Sequence, residues 1–288
     1  MEATIIVTFF LYFSSAYVLA DQLVVLNLTQ YEQVKVINSS VAKHEDVTIC
    51  ARFLVEPSAQ SEIFTYGPLT LKRRFDPNQA FDQLSGEVHY WIPTSWNSPS
   101  KTFAIWPPGV WNHVCVSFTE KDCSVRVILN GQTVVESKMD PCYGFSQLGF
   151  LGLGSNMVGL LTDINIWKQV ISREEAKAWT QCETEKEGNL VAWKGWTKSN
   201  YDIPANKVFL DKNDICRKPG QILGYEQIMH FETILNFCWL LGGRMPTIGD
   251  NKTMERMNET LMAIDVPKWA FTGYILDEKK DPVNTYTG

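Results

Sequence analysis

Seven cysteines constrain this chain more than any other feature: Cys50, Cys115, Cys123, Cys142, Cys182, Cys216 and Cys238. No Cys-x-x-Cys pair occurs among them. None of the four histidines, His44, His89, His113 and His230, stands at metal-ligand spacing. The cysteines therefore read as a disulfide framework with one residue left over, and not as a zinc site. Disulfides persist outside the cytosol, and the first twenty residues point the same way. Ile5 to Leu19 is almost wholly apolar or small, with Val18 and Ala20 at the two positions a signal peptidase reads. We expect a signal peptide over 1–20, cleaved after Ala20. The n-region carries Glu2 and no Lys or Arg, so an uncleaved anchor is the alternative, but the apolar core is short for a span. Sequons at Asn27, Asn38, Asn251 and Asn258 fit a glycosylated, secreted chain with no membrane span after cleavage.

Length suggests about two domains. Hydrophobic residues make up 45% and charged residues 20%, an ordinary globular balance. A net charge of -6 without a basic stripe excludes nucleic acid as the expected partner. The small basic run Lys72-Arg73-Arg74 reads as a solvated loop.

From 21 to about 180 the pattern is short strands and turns. Val47 to Phe53, His113 to Phe118 and Val125 to Leu129 alternate at a period of two. Asn130-Gly131 lies between 125–129 and 133–136 and predicts a type I′ hairpin, whose two central residues need positive φ. Ser172-Arg-Glu-Glu175 is a capping box opening a short helix over 173–181. Such a pattern predicts a sandwich or jelly roll. Residues 182–219 show little periodicity and read as an extension of the sandwich or a disulfide-closed linker. From 220 onward the period becomes helical. Ile228, Phe231, Leu235, Cys238 and Leu241 form one stripe, and Met254, Met257, Leu261 and Ile264 another.

Trp111-Asn-His113-Val-Cys115-Val-Ser117-Phe118 resembles the pentraxin signature, His-x-Cys-x-Ser/Thr-Trp-x-Ser/Thr. His113, Cys115 and Ser117 match. Phe118 replaces the Trp, and Glu120 stands where Ser or Thr is expected. The hairpin, the Gly-Leu-Gly segment and Gly159 to Trp167 follow in the family's order. The resemblance covers roughly residues 25–181. It implies a pentraxin/laminin-G-like fold for residues 21–181 and a bridge from Cys115 to an early strand, hence to Cys50. Cys123 and Cys142 flank the hairpin and suit a second bridge, and Cys182–Cys216 would close the strap. The family's calcium loop is rich in Glu, Gln and Asp. Here Gly152 to Leu160 is short and carries no carboxylate; Asp163 lies just after it, and Asp140 before Cys142 could approach, giving two acidic groups at best. Calcium needs six to eight oxygens, so no metal site is assigned in this part of the chain.

Residues 220–288 resemble the opening half of a C-type lectin. Phe231 to Pro246 matches the first helix with Cys238 and its glycine turn, 253–265 the second helix, and Trp269-Ala-Phe-Thr-Gly273 a following strand. The family's calcium-and-sugar residues and the partner of Cys238 would lie beyond residue 288, so calcium is expected only in that missing part.

No Gly-x-Ser-x-Gly elbow and no carboxylate-bearing glycosidase strand occurs, so no catalytic residue or cofactor is expected. Trp91, Trp96, Trp106 and Trp111 invite sugar stacking, but core packing accounts for them better. The expected fold is mainly β: an antiparallel jelly-roll β-sandwich, then a partial α+β C-type-lectin-like domain. The expected function is extracellular recognition of glycans or glycoproteins without enzymatic activity. The alternative is a structural or interaction protein that keeps the fold without calcium-dependent sugar binding. The ligand-binding residues are not legible from sequence.

Overall fold

The computed structural model describes residues 22–29, 34–36, 46–55, 61–67, 69–74, 85–90, 100–103, 110–139, 151–198, 206–216, 255, 274–276 and 282–284. Cα proximity divides the chain into one unit of 1–76 with 84–217 and a second of 77–83 with 218–288. Of the second unit, the structure describes Glu255 and an antiparallel pair, β14 (Tyr274–Leu276) and β15 (Pro282–Asn284). The leader, Asn38, Cys142, Cys238, Asn251, Asn258 and the two expected lectin-like helices lie outside the described residues.

The first unit is an antiparallel β-sandwich. Its larger sheet has seven strands in the order β10-β9-β8-β3-β12-β1-β13. These are β10 (Gln132–Lys138), β9 (Ser124–Leu129), β8 (Asn112–Thr119), β3 (Asp46–Val55), β12 (Gly159–Trp167), β1 (Gln22–Leu28) and β13 (Asn206–Asp211). The second sheet runs β2-β11-β4-β5-β6-β7. It comprises β2 (Val34–Val36), β11 (Leu151–Leu153), β4 (Ser61–Tyr66), β5 (Leu69–Arg74), β6 (Ser85–Tyr90) and β7 (Ser100–Phe103). Neighbours in sequence are often far apart in these orders, as a jelly roll requires.

The period-two pattern places alternate residues on opposite faces of each strand. On β3 the apolar set Val47, Ile49, Ala51, Phe53 and Val55 is fully buried, as are Val114, Val116 and Phe118 on β8. In the second sheet Phe64, Tyr66, Leu69, Leu71, Val88, Leu151 and Leu153 are equally buried. These residues make the core between the sheets. Burying one such side chain stabilises the fold by about 1.5–3 kcal/mol.

The other face of the seven-stranded sheet is buried too, because a roof lies on it. Helix α1 (Arg173–Thr180) begins at a true capping box. Ser172 Oγ accepts from the Glu175 backbone N–H at 3.1 Å, and Glu175 Oε2 accepts from the Ser172 N–H at 3.1 Å. Ala176 and Trp179 of this helix pack with Ile171 onto Cys50, Cys115, Ile128 and Trp167. Short helices α2 (Trp193–Lys198) and α3 (Lys212–Ile215) follow in the strap.

One local feature follows the sequence closely. Asn130 (φ 50°) and Gly131 (φ 85°) close the β9–β10 hairpin in the left-handed region that a type I′ turn demands. The strap, in contrast, hides a strand. β13 pairs with β1 from Gln22↔Asp211 to Asn27↔Asn206 and forms the sheet edge. In its Asn-Lys-Val-Phe-Leu-Asp run Val208 and Leu210 are half-buried but the apolar Phe209 between them is exposed, so the sequence lacks the clean alternation that marks β3. The basic run Lys72-Arg73-Arg74 is a correction to the sequence reading. It lies on β5, not in a loop, and Arg73 is fully buried.

Candidate functional site

Among the described residues, two places on the sandwich carry polar groups in a fixed arrangement: a buried hub under the roof, and the outer face of the six-stranded sheet. The hub centres on Arg52. Register sets Arg52 of β3 opposite His113 of β8 and beside Thr162 of β12. Immediately after Thr162 a bulge shifts the β12–β3 register, and Asp163 takes φ 52°. A bulge re-aims one side chain, and here it turns Asp163 onto Arg52, with Nε to Oδ2 at 2.7 Å. The arginine side chain is 2% exposed and the aspartate 18%. Asn165 Nδ2 donates to Asp163 Oδ1 at 2.8 Å.

The remaining Arg52 donors are also engaged. One donates to the Trp179 carbonyl at 3.0 Å, and the guanidinium lies 4.1 Å from the centroid of the Trp179 ring. Another faces His113 Nδ1 at 2.9 Å and the Sγ of Cys182. A buried charge is tolerated only when it is paired and its donors are satisfied, and this arginine meets both conditions.

His113 is a strut of this hub. Its Nε2 donates to the Ile215 carbonyl at 3.0 Å, and its Nδ1 also lies against the Thr180 carbonyl. The turn residue Asn130 fixes the strand beneath: its Oδ1 accepts from the His113 backbone N–H at 2.8 Å, and its Nδ2 donates to Asn112 Oδ1 at 3.1 Å. Thr48, opposite Ser117, ties the entry to α1. The two hydroxyls are 3.0 Å apart, and Thr48 Oγ1 donates to the Gln169 carbonyl and accepts from the Ile171 N–H. The signature residues His113, Cys115 and Ser117 therefore all face the roof.

The bridge Cys50–Cys115 joins directly paired residues of β3 and β8, with Cα atoms 4.1 Å apart, inside the apolar cluster under α1. Cys182–Cys216 joins the end of α1 to the end of α3, with Cα atoms 5.8 Å apart. It holds Ile215 down on Val25 and Trp111, with Leu54, Leu160, Val208 and Leu210 packed around them. Cys123 is also in a disulfide, and its partner lies outside the described residues. Glu185 adds a surface tie to this roof. Lys212 and Lys194 both contact its carboxylate and hold its pKa below the usual carboxylate range. A Lys186 ion pair and the cap bond to Ser172 do the same for Glu175.

The second place is different in kind. Register lines up Gly152, Thr65, Thr70, His89 and Ser100 across β11, β4, β5, β6 and β7. Thr65 and Thr70 are half-buried, and their hydroxyls lie 3.1 Å apart. The next row begins with Glu62 opposite Lys72, both half-buried. Alternation puts the side chains of Thr65, Thr70 and Lys72 on the face away from the core residues Phe64, Tyr66, Leu69 and Leu71, and the irregularity between Glu62 and Phe64 brings Glu62 opposite Lys72. Among those, burial pushes the Tyr66 phenol up to about 12.

The loop leading into β12 adjoins this sheet. Gly154 takes φ 68°, where any Cβ would strike Leu28 Cδ1 at 2.1 Å. Met157 closes a turn back to Gly154 and is fully buried. The Ser155 carbonyl accepts from the Glu62 N–H at 2.9 Å. Asp163, four residues after Gly159, is held by Arg52 in the hub. Among the described residues no three His, Cys, Asp or Glu side chains converge as a metal site.

Of the sequons, Asn27 is described. It sits half-exposed on β1, paired with Leu160 and Asn206. Of the tryptophans, Trp111, Trp167, Trp179 and Trp193 are core. Sequence reasoning missed Arg52 as a site residue altogether. Its one local signal is a charged residue at an alternating position inside an otherwise apolar strand.

No family model matches the chain. Human neuronal pentraxin-2 is 26% identical over 109 residues, covering 33% of this chain and 25% of the relative. The mouse protein of that name is 25% identical over 109 residues. Over those 109 residues the chain is similar to pentraxins. The chain aligns to about a quarter of the length of these curated relatives. Among solved structures, the native heptameric SAP-like pentraxin of Limulus polyphemus aligns with a TM-score of 0.49 and 14% identity, covering 66% of this chain and 92% of that one. The CBM40 of a Ruminococcus gnavus IT-sialidase, bound to α2,3-sialyllactose, aligns with a TM-score of 0.43 and 11% identity, covering 55% and 97%. No helix among the described residues is long and apolar enough to cross a membrane.

Proposed function

We propose that the protein is a secreted, non-enzymatic recognition protein. Its pentraxin-like unit binds glycans or glycoproteins on the outer face of the six-stranded sheet, without calcium in the 154–158 loop. The observation that carries this reading is the Thr65–Thr70 hydroxyl pair, half-exposed on rigid neighbouring strands with Glu62 and Lys72 in the adjacent row. Closely spaced donors and acceptors on a stiff sheet suit a polyhydroxylated ligand, whose own hydroxyls both donate and accept. Calcium is left out because Met157 occupies the core, Ser155 O is already bonded and Asp163 belongs to Arg52. Secretion rests on the apolar leader and the disulfides. Residues 220–288 are read as a C-type-lectin-like unit on the Phe231–Pro246 and Trp269–Gly273 motifs.

The second reading, a structural or interaction protein, is favoured by the packed-in loop at Met157, which leaves no calcium cradle there. A glycan array probed with the full secreted chain, with and without chelator, separates the two. Binding that survives chelator and falls about tenfold in Thr65→Val/Thr70→Val, as expected for two lost hydrogen bonds, supports the proposal. No bound glycan would favour the second reading. Binding abolished by chelator would refute the calcium-free site.

A further inference from the structure

We infer that Cys182–Cys216 is a thiol-labile bridge that latches the roof, opened by attack on Cys216 with Cys182 as the leaving group. The two described bridges differ in their surroundings. Cys50 and Cys115 are buried in an apolar cluster, where no thiolate can approach and a departing thiolate would be poorly solvated. Cys182 and Cys216 are both half-exposed. The Arg52 guanidinium donates to Cys182 Sγ, and His113 Nδ1 lies 3.8 Å from the same sulfur. A neighbouring guanidinium stabilises a thiolate, and in thiol–disulfide exchange the sulfur with the better-stabilised thiolate leaves faster. The polarity of the bridge therefore directs attack to its other sulfur.

The chemistry balances with a dithiol as reductant. Its thiolate attacks Cys216 Sγ, forming a mixed disulfide. The Cys182–Cys216 bond breaks, and its electron pair leaves on Cys182 as a thiolate beside Arg52. The second thiol of the reductant then attacks the mixed disulfide, releasing Cys216 and closing the reductant to its own disulfide. Two electrons pass from the dithiol to the bridge. A monothiol completes only the first half.

Opening the bridge removes the covalent tie next to Ile215. That residue caps Val25 and Trp111, and its carbonyl holds His113. Release of the 206–216 segment would uncover Leu54, Leu160 and Trp111, an apolar strip on the face that the roof otherwise seals.

The test uses the full secreted chain, folded and oxidised, with reduced glutathione followed by rapid alkylation and peptide mass spectrometry. We expect glutathione on Cys216 and alkyl on Cys182, in excess over the reverse pattern by about threefold or more, with Cys50–Cys115 intact. Equal labelling of the two sulfurs, the reverse preference, or opening of Cys50–Cys115 at the same rate would overturn the inference. Asp163→Asn removes the carboxylate that shares the Arg52 charge while keeping the side-chain shape. It should speed Cys182 release, and an unchanged or slower release would remove the guanidinium from the argument.

Discussion

The outer faces of the two sheets are built to opposite ends. The seven-stranded sheet is roofed: α1 and the strap bury a second apolar layer, with the Arg52–Asp163 pair and two disulfides set into it. The six-stranded sheet instead offers half-exposed Thr65, Thr70, Glu62 and Lys72. Both sheets share one inner core, so the difference lies in what each outer face is for. A roofed face can hold charge and sulfur in low dielectric, where every partner counts. An open face carries polar groups that exchange readily between water and a ligand. The roofed face should thus govern stability and the open face binding.

Four experiments break or sharpen that contrast. The largest effect is expected from Arg52→Ala. It strands Asp163, empties the hub between His113 and Trp179, and should cost about 3–5 kcal/mol, the usual penalty for removing one partner of a buried pair. Denaturant unfolding of the secreted protein measures it. A loss under 1 kcal/mol would mean that the roof does not depend on the hub. Next comes Cys182→Ser with Cys216→Ser. The bridge spans a sequence separation of 34, for which chain entropy predicts about 3–4 kcal/mol. A matching loss of unfolding free energy is the expected result, with an m-value no lower than that of the bridged protein because the unbridged unfolded chain is less compact.

Acid should loosen the roof slightly before the rest. Glu175 and Glu185 have folded pKa values below their unfolded ones. Their contribution is present above the ordinary carboxylate value and is lost as pH falls through the lowered one. Both are largely exposed, so the change should stay under about 1 kcal/mol. Glu185→Gln should flatten this part of the pH–stability curve between neutral and acid. The smallest stability effect is expected on the open face. Thr65→Val/Thr70→Val should shift stability by no more than about 0.5 kcal/mol, since surface changes away from special features rarely do more. A large loss there would show that the hydroxyl pair serves the fold and not a ligand.

Local chemistry was readable in the sequence wherever one short segment determines its own conformation. Asn130-Gly131 announces the hairpin because few residue pairs tolerate positive φ twice in succession, and the structure has both there. Ser172 and Glu175 announce α1 because each satisfies a backbone N–H that the helix start leaves open. The alternation in 47–53 and 113–118 announces strands, and many short strands with Gly turns announce a sandwich. What stayed hidden is non-local. Arg52 and Asp163 are 111 residues apart, and the aspartate reaches the arginine only through a bulge that no local pattern marks. β13 is an edge strand covered on one face only, where Val208 and Leu210 are half-buried, and the apolar Phe209 on its exposed face breaks the alternation of apolar and polar residues in the sequence. Lys72-Arg73-Arg74 reads as a solvated turn, yet sheet register puts Arg73 inside and leaves Lys72 half-exposed. The sequence alone thus determined turns, caps and strand character, because those energies lie within a few residues. The tertiary structure alone decided which outer sheet face is roofed and which keeps Glu62, Thr65, Thr70 and Lys72 half-buried at its surface. That choice depends on which distant segment lies on top, and no single segment carries that information.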